Sequence, residues 1–278
     1  MIHVFLKSRL GVFIRKLIEY KNFKLENKHD GESCYIFGDG VSIKYYDLSK
    51  FNDKIGIACN HFPFHKDFKM TKVKYAILSE PYYFMPFFDR IIKKRKVITS
   101  YSFNPISYSY RKIIRSNPKI KFFINLSNYF FLRGKNVLYL YRNILSKKSN
   151  STTLCKEFDC DKGVLRRAIS LAAYLGFKTI YLVGCDYLEN PQKSGHWYEN
   201  YVVVGDAKIS EDYISNFIKR NEDFGIDFKL VSPFPTKSKV VNKTYKELFK
   251  VENSFRENVE LLTKENLKVF SMQKTMKL

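Results

Sequence analysis

The sequence predicts an α/β protein built on a mostly parallel sheet, and three observations predict it. A short β-prone run, Cys34 to Phe37, passes at once into a Gly38-Asp39-Gly40 turn and leads to a second strand ending near Asn60. Strand-like and helical stretches then alternate through the middle of the chain. From residue 161 to 190 an Ala-rich helix runs through Gly176 into a buried strand that ends at Gly184. With 278 residues and 45% hydrophobic content, the chain can bury one large α/β core.

The elements follow in order. Ile2, Phe5, Leu6, Leu10, Phe13, Ile14, Leu17 and Ile18 recur at helical spacing with Lys and Arg between them, so residues 2–20 read as a basic amphipathic helix. Such a helix packs on the core or on another subunit, making a homo-oligomer, or lies on an anionic membrane surface. The polar run 25–33 is a linker. After the opening unit, in which a short helix follows the glycine turn, residues 75–79 read as a strand, 84–94 as a helix, 97–101 as a strand and 121–126 as a further strand. The Tyr- and Phe-rich stretch to Leu145 gives no clear period. Residues 161–176 form a helix with small residues Ala168, Ala172 and Ala173 for close approach to the sheet, and 179–183 a buried strand. Residues 209–224 read as a helix and 227–231 as a last strand, with a charged helical tail beyond 237. The expected division is an amphipathic segment at 1–30, the α/β domain at 31–236 and a basic tail at 237–278.

The charge balance, 49 Lys and Arg against 27 Asp and Glu for a net +22, points to anionic partners: nucleic acid, acidic lipid or a charged nucleotide-sugar. Between Asp89 and Glu157 there is no acidic residue, and basic residues interleave with aromatics, a pattern that can hold single-stranded nucleic acid by charge and stacking. These aromatics come in element-forming runs and not as spaced platforms, which sets the nucleic-acid reading behind an enzyme. No run is long and apolar enough to span a bilayer, so the expected location is the cytoplasm, peripherally at the inner face of the membrane. The five cysteines are odd in number, and Cys155 and Cys160 stand too much alone for a zinc site, which leaves reduced thiols as the expectation.

Two turns have the placing of ligand sites. A glycine turn at the carboxyl end of a first strand, opening a helix at Ser42, is a ready phosphate site, and Gly184-Cys185-Asp186-Tyr187 closes the second unit in the same way. The segment Gly195-His196-Trp197-Tyr198-Glu199-Asn200-Tyr201 supplies a titratable imidazole and phenol donors.

Taken together, Gly38-Asp39-Gly40-Val41-Ser42, the run Ile57 to Phe62 and the stretch from Gly163 to Asn190 resemble, in order and spacing, the bacterial sialyltransferases with a single Rossmann-like domain. They are also similar to the related domain of motility-associated flagellin-modifying proteins. The resemblance covers roughly 34–234 and implies a Rossmann-like, variant GT-A fold. It implies a metal-independent, cofactor-free inverting transferase that moves a nonulosonic acid from a CMP-activated sugar to a glycan or lipid-linked acceptor. By the resemblance, Gly38, Asp39, Gly40 and Ser42 surround phosphate and ribose, Asn60 closes the second strand on the nucleotide, and Gly163, Gly184 and Asp186 complete the site. Asp39 stands where the family has asparagine, and Asp161-Lys162 where it has Thr-Ser, so that Lys162 could meet the donor's phosphate or carboxylate. Tyr187 lies one place before the family's first leaving-group tyrosine. Two bases remain open: His196, with Tyr187, Tyr198 and Tyr201 as phosphate donors, and Asp206, which follows Gly205 shortly before the next helix as the family's catalytic histidine does. The alternatives are a pyrophosphokinase-like enzyme and a basic nucleic-acid-binding protein.

Overall fold

The computed structural model describes residues 9–80, 83–85, 105–140, 163–188, 193–199, 203–204, 218, 222, 225–236, 238 and 240–274. In chain order its elements are α1 (Arg9–Phe23), β1 (Ser33–Phe37), β2 (Ile55–Cys59), β3 (Val73–Leu78), α2 (Pro105–Ser116), β4 (Lys121–Asn125), β5 (Val137–Leu140) and α3 (Val164–Tyr174). They continue with β6 (Thr179–Val183), β7 (Lys193–Ser194), β8 (Val203–Val204), β9 (Asp227–Ser232), β10 (Asn242–Thr244), α4 (Tyr245–Phe249), α5 (Asn258–Leu261) and α6 (Lys264–Lys274).

Eight strands make one Rossmann-like sheet in the order β10-β9-β6-β1-β2-β3-β4-β5, parallel at every pairing. β7 and β8 form a separate antiparallel pair. The chain grows from β1 outward to β5, then returns to lay β6 on the other side of β1. Strand order therefore reverses between β1 and β6, and ligands of open α/β sheets gather outside the carboxyl ends of strands at such a point.

Both faces are buried, as a parallel sheet requires. In β1 the period of two sends Tyr35 and Phe37 into one core and Cys34 and Ile36 into the other. The first core includes Phe51, Phe62, Tyr110, Trp197 and Tyr245; the second is covered by α3 through Ala168, Ile169, Leu171 and Ala172. Cys34, Cys59 and Cys185 are buried and form no disulfide.

The structure differs from the sequence expectation in several places, among them a helix at Pro105–Ser116 and the antiparallel pair β7–β8, neither of which was expected. The link after the glycine turn is a pair of single-turn 3-10 segments, Val41–Tyr45 and Leu48–Asn52, and not one helix. β5 lies in the stretch without a clear period, where all four residues are apolar because both faces are covered. β10 lies in the stretch expected as helical tail; its Asn-Lys-Thr sequence carries no apolar period because it is a short, half-exposed edge strand. After β10, Tyr245, Leu261 and Phe270 are buried in the first core, and Arg256 donates to Asp67 at 2.8 Å and to the Tyr46 carbonyl at 2.6 Å. The strand expected over 97–101 and all but the first residues of the 84–94 helix lie outside the described residues, as does the 209–224 helix apart from Ile218 and Glu222. No helix among the described residues is long and apolar enough to cross a membrane.

Candidate active site

The reversal point is built by two glycine turns that lock together. The Gly38 N–H donates to the Val183 carbonyl at 2.7 Å and the Gly40 N–H to the Gly184 carbonyl at 2.8 Å. The approach is too close for side chains: a Cβ at Gly38 would sit 2.4 Å from the Gly184 carbonyl oxygen. Gly184 itself has φ +69, which an L side chain adopts only with strain.

Asp186 reaches across this junction. Its carboxylate accepts the Ser42 N–H at 2.9 Å and the Ser42 hydroxyl at 2.5 Å. The N–H groups at the start of the Val41–Tyr45 segment, expected to face a phosphate, are thus engaged by the chain's own carboxylate. Burial raises the Asp186 pKa, and the Ser42 hydrogen bonds oppose that rise. Ser42 and Asp186 hold the two turns in register.

Those groups come from three further turns. At the end of β2, Asn60 takes a left-handed φ of +36, and its side-chain oxygen accepts both the N–H and the hydroxyl of Ser79, which follows β3. The Tyr110 hydroxyl, from α2, donates to the Asn60 carbonyl at 2.8 Å and meets His61 Nδ1 at 2.7 Å. Burial holds the His61 pKa down at about 3, so this imidazole is neutral at working pH. From α3, whose first turn follows Gly163 (φ +133), Arg167 donates to the Ser79 carbonyl at 2.7 Å. Arg166 and Arg167 are both buried here, and neither was singled out in the sequence. A pair of arginines inside an Ala-rich, core-facing helix was the available signal.

The third turn carries His196. Its backbone pairs with Gly40 in an isolated antiparallel bridge, and the next residue, Trp197, donates its N–H to the Asp39 carbonyl at 3.1 Å. His196 Nδ1 lies 2.9 Å from Glu199 Oε2, which also accepts the His196 N–H at 3.1 Å. The imidazole is 35% exposed, stacks on the Tyr198 ring at 4.9 Å, and the Tyr198 ring in turn meets His61 edge-on at 5.1 Å. The buried ammonium of Lys44 donates to the Glu199 carbonyl at 2.8 Å, anchoring the carboxylate's own backbone. A neutral imidazole that gives its Nδ1 proton to a carboxylate carries its basic lone pair on Nε2. Glu199 is a further residue of the candidate site that sequence reasoning passed over; its spacing of three from His196 in a tight turn was the signal.

Asp39 sits beneath this arrangement. Oδ2 accepts the His61 N–H at 3.3 Å, while Oδ1 is buried without a hydrogen-bond partner. Burial pushes its pKa up to about 6, against the lowering effect of His196 and of the N–H of His61.

The structure therefore brings together Gly38, Asp39, Gly40, Ser42, Asn60, Gly184, Asp186, His196 and Tyr198, with Gly163 opening α3 at the same edge of the sheet. Tyr187 contributes backbone to the 186–188 turn. Lys162, Tyr201 and Asp206 lie outside the described residues.

No family model matches the sequence, and no curated protein matches it. Solved structures do match. The sialyltransferase CstII from Campylobacter jejuni in complex with a substrate analogue, CMP-3FNeuAc, is 14% identical, with 88% of this chain and 99% of that chain covered at a TM-score of 0.44. A sialyltransferase CST-II in complex with trisaccharide acceptor and CMP is 14% identical, with 87% and 99% covered at a TM-score of 0.45. CstII from the same organism in complex with cytidine-5'-monophosphate is 14% identical, with 89% and 99% covered at a TM-score of 0.41.

Proposed function

We propose that this chain is a glycosyltransferase that takes a nonulosonic acid, a sialic acid or a relative, from a CMP-activated donor and transfers it with inversion to a surface-glycan or lipid-linked acceptor. The observation that carries the reading is convergence: the motifs at 38–42, 57–62 and 184–186 are far apart in sequence, yet they meet with the His196 turn at the β1/β6 reversal point. Such convergence suits a nucleotide held outside the strand ends, with a base beside it.

In this reading the nucleotide lies over the two glycine turns, contacted by Asn60 and by backbone of the 38–40 and 184–186 turns. His196, oriented by Glu199, takes the acceptor hydroxyl's proton at Nε2 as that oxygen attacks the anomeric carbon. The bond from that carbon to the phosphate oxygen breaks, and CMP leaves as the phosphate anion. Tyr198, Tyr187 and Tyr201 stand as hydroxyl donors to the developing phosphate charge, and Lys162 as a cation for the donor's phosphate or carboxylate. Neither metal nor cofactor is required. We place the protein peripherally at the inner face of the membrane, where a lipid-linked acceptor would be met.

A thermal-shift panel tests the reading, because a ligand bound only by the folded state raises Tm. CMP should raise it in preference to UDP, GDP and ADP, in the presence of EDTA. A preference for UDP, or a response that EDTA abolishes, would overturn it.

A further inference from the structure

The helix α1 has two opposite sides that both carry apolar groups, and only one of them is covered. Ile18 and Asn22 are buried; the Asn22 side chain donates to the Tyr139 carbonyl at 3.3 Å, and the Asn22 carbonyl accepts from the Tyr174 hydroxyl at 3.2 Å. These contacts fix which side of the helix meets the sheet. Phe13, Leu17, Tyr20 and Phe23 consequently face solvent, at 58, 44, 69 and 68% exposure. At 100° per residue the four fall within an arc of roughly 120° centred opposite Ile18 and Asn22.

The rim of this face is basic. Lys16, Lys21, Lys24 and Lys28 are exposed, and the Lys24 ammonium lies 5.2 Å from the centre of the Tyr20 ring. From Arg9 to Leu25 the sequence holds five Lys or Arg and one Glu. The residues before it, Met1 to Ser8, add Lys7 and no acid.

We propose that this face of α1 is the membrane-docking surface of the protein, and that its partner is an anionic bilayer. Aromatic rings on one side of a helix with lysines beside them match a headgroup layer: the rings enter the acyl boundary while the ammonium groups reach back to lipid phosphates. A second copy of the chain fits less well. Four half-exposed side chains offer on the order of 400 Å², against about 800 Å² per partner in a stable interface. Five cations would also meet five cations across a two-fold axis. The inference deepens the peripheral placement in the proposed function and does not depend on the CMP reading.

The test is co-sedimentation of the full-length chain with vesicles of phosphatidylcholine, with and without phosphatidylserine. Wild type should sediment with the anionic vesicles at low salt and be released as salt rises. Phe13→Ser/Tyr20→Ser/Phe23→Ser should reduce vesicle-bound protein at least about tenfold without lowering Tm, since these side chains are exposed. Lys21→Glu/Lys24→Glu should do the same by charge alone. As a direct reporter, Tyr20→Trp should give a blue-shifted emission component on anionic vesicles; the chain's one native tryptophan, Trp197, is already buried. Equal sedimentation of the triple serine variant and wild type would overturn the inference, as would equal binding to neutral vesicles. So would a wild-type dimer that the serine variant converts to monomer. CMP-induced Tm shifts, read on the wild-type samples, separate the two claims: a wild-type chain that responds to CMP but does not bind anionic vesicles sinks the docking surface alone, and one that binds the vesicles without responding to CMP sinks the CMP reading alone.

Discussion

Ser79 donates its backbone N–H at 3.3 Å and its hydroxyl at 3.1 Å to the same side-chain oxygen of Asn60. A main-chain N–H can only donate, so the oxygen and nitrogen of that amide are fixed by chemistry and cannot be exchanged. Asn60 Nδ2 is thereby directed away from Ser79, and in the proposed function it donates to an oxygen of the nucleotide. Arg167, through the Ser79 carbonyl, and Tyr110, through the Asn60 carbonyl, brace both ends of the relay.

The first prediction uses that asymmetry. Asn60→Asp retains an oxygen for Ser79 and tolerates the left-handed backbone, but it exchanges the outward N–H for an anionic oxygen facing the ligand. CMP affinity should fall by about two orders of magnitude or more while Tm without ligand changes little; the loss combines a charge-assisted hydrogen bond with like-charge repulsion. Calorimetric titration reads this, and a CMP affinity within about threefold of wild type would remove Asn60 from the site.

Gly40 makes the second prediction. A Cβ there would lie 2.5 to 2.6 Å from the carboxylate carbon and both oxygens of Asp186. Gly40→Ala must displace Asp186 and break its bonds to Ser42, at a cost of roughly 2–4 kcal/mol. Ser42→Ala, which removes only the hydroxyl, should cost about 1–2 kcal/mol. Urea unfolding measures both, and an unchanged midpoint for Gly40→Ala would mean that the two turns are not locked.

How much of this was legible in the sequence depends on distance along the chain. The strands 33–37 and 179–183 and their glycine turns were readable because period, length and breaker all lie within a few residues. The residues 242–244 were not, because an edge strand of three polar residues is specified by its neighbour β9 and by nothing local. The same holds in the site: Gly38, Asn60 and Asp186 announce themselves in motifs. The pairing of Ser42 with Asp186, by contrast, joins residues 144 apart in sequence. Nothing near Ser42 says that its N–H is already taken. Glu199 and Arg167 were missed because each meets the candidate site through another residue, His196 and Ser79, which spacing alone does not reveal.

The third prediction concerns Asp39, whose pKa is raised by burial from 3.8 to about 6. A raised folded-state pKa contributes stability that is present below pH 3.8 and is lost as pH rises through about 6, where the folded chain must hold a buried carboxylate. Asp39→Asn stays neutral throughout, so its Tm advantage over wild type should be small at pH 4 and grow up to pH 7. Scanning fluorimetry across that range checks it; a pH-independent difference would mean that Asp39 is ionised and solvated in the folded state.

The last prediction decides between two bases. His196 is held by Glu199 with Nδ1 as donor, and its backbone bridge to Gly40 sets it beside the glycine turns, so the proposed function assigns the general base to its Nε2 lone pair. His196→Ala should lower transfer by roughly two to four orders of magnitude with CMP binding nearly intact, as expected for loss of a general base that does not hold the nucleotide. Glu199→Gln keeps a hydrogen-bond acceptor but loses the negative charge that stabilises the imidazolium. It should lower kcat by about tenfold to a hundredfold and shift the acidic limb of the pH–rate profile to lower pH, because a His without its carboxylate is the weaker base and stays deprotonated to lower pH. A purely structural role for Glu199 would lower kcat without moving that limb. Asp206→Asn should be mild. If Asp206→Asn abolishes transfer and His196→Ala does not, the base follows Gly205, and the His196 turn serves to bind phosphate or acceptor instead.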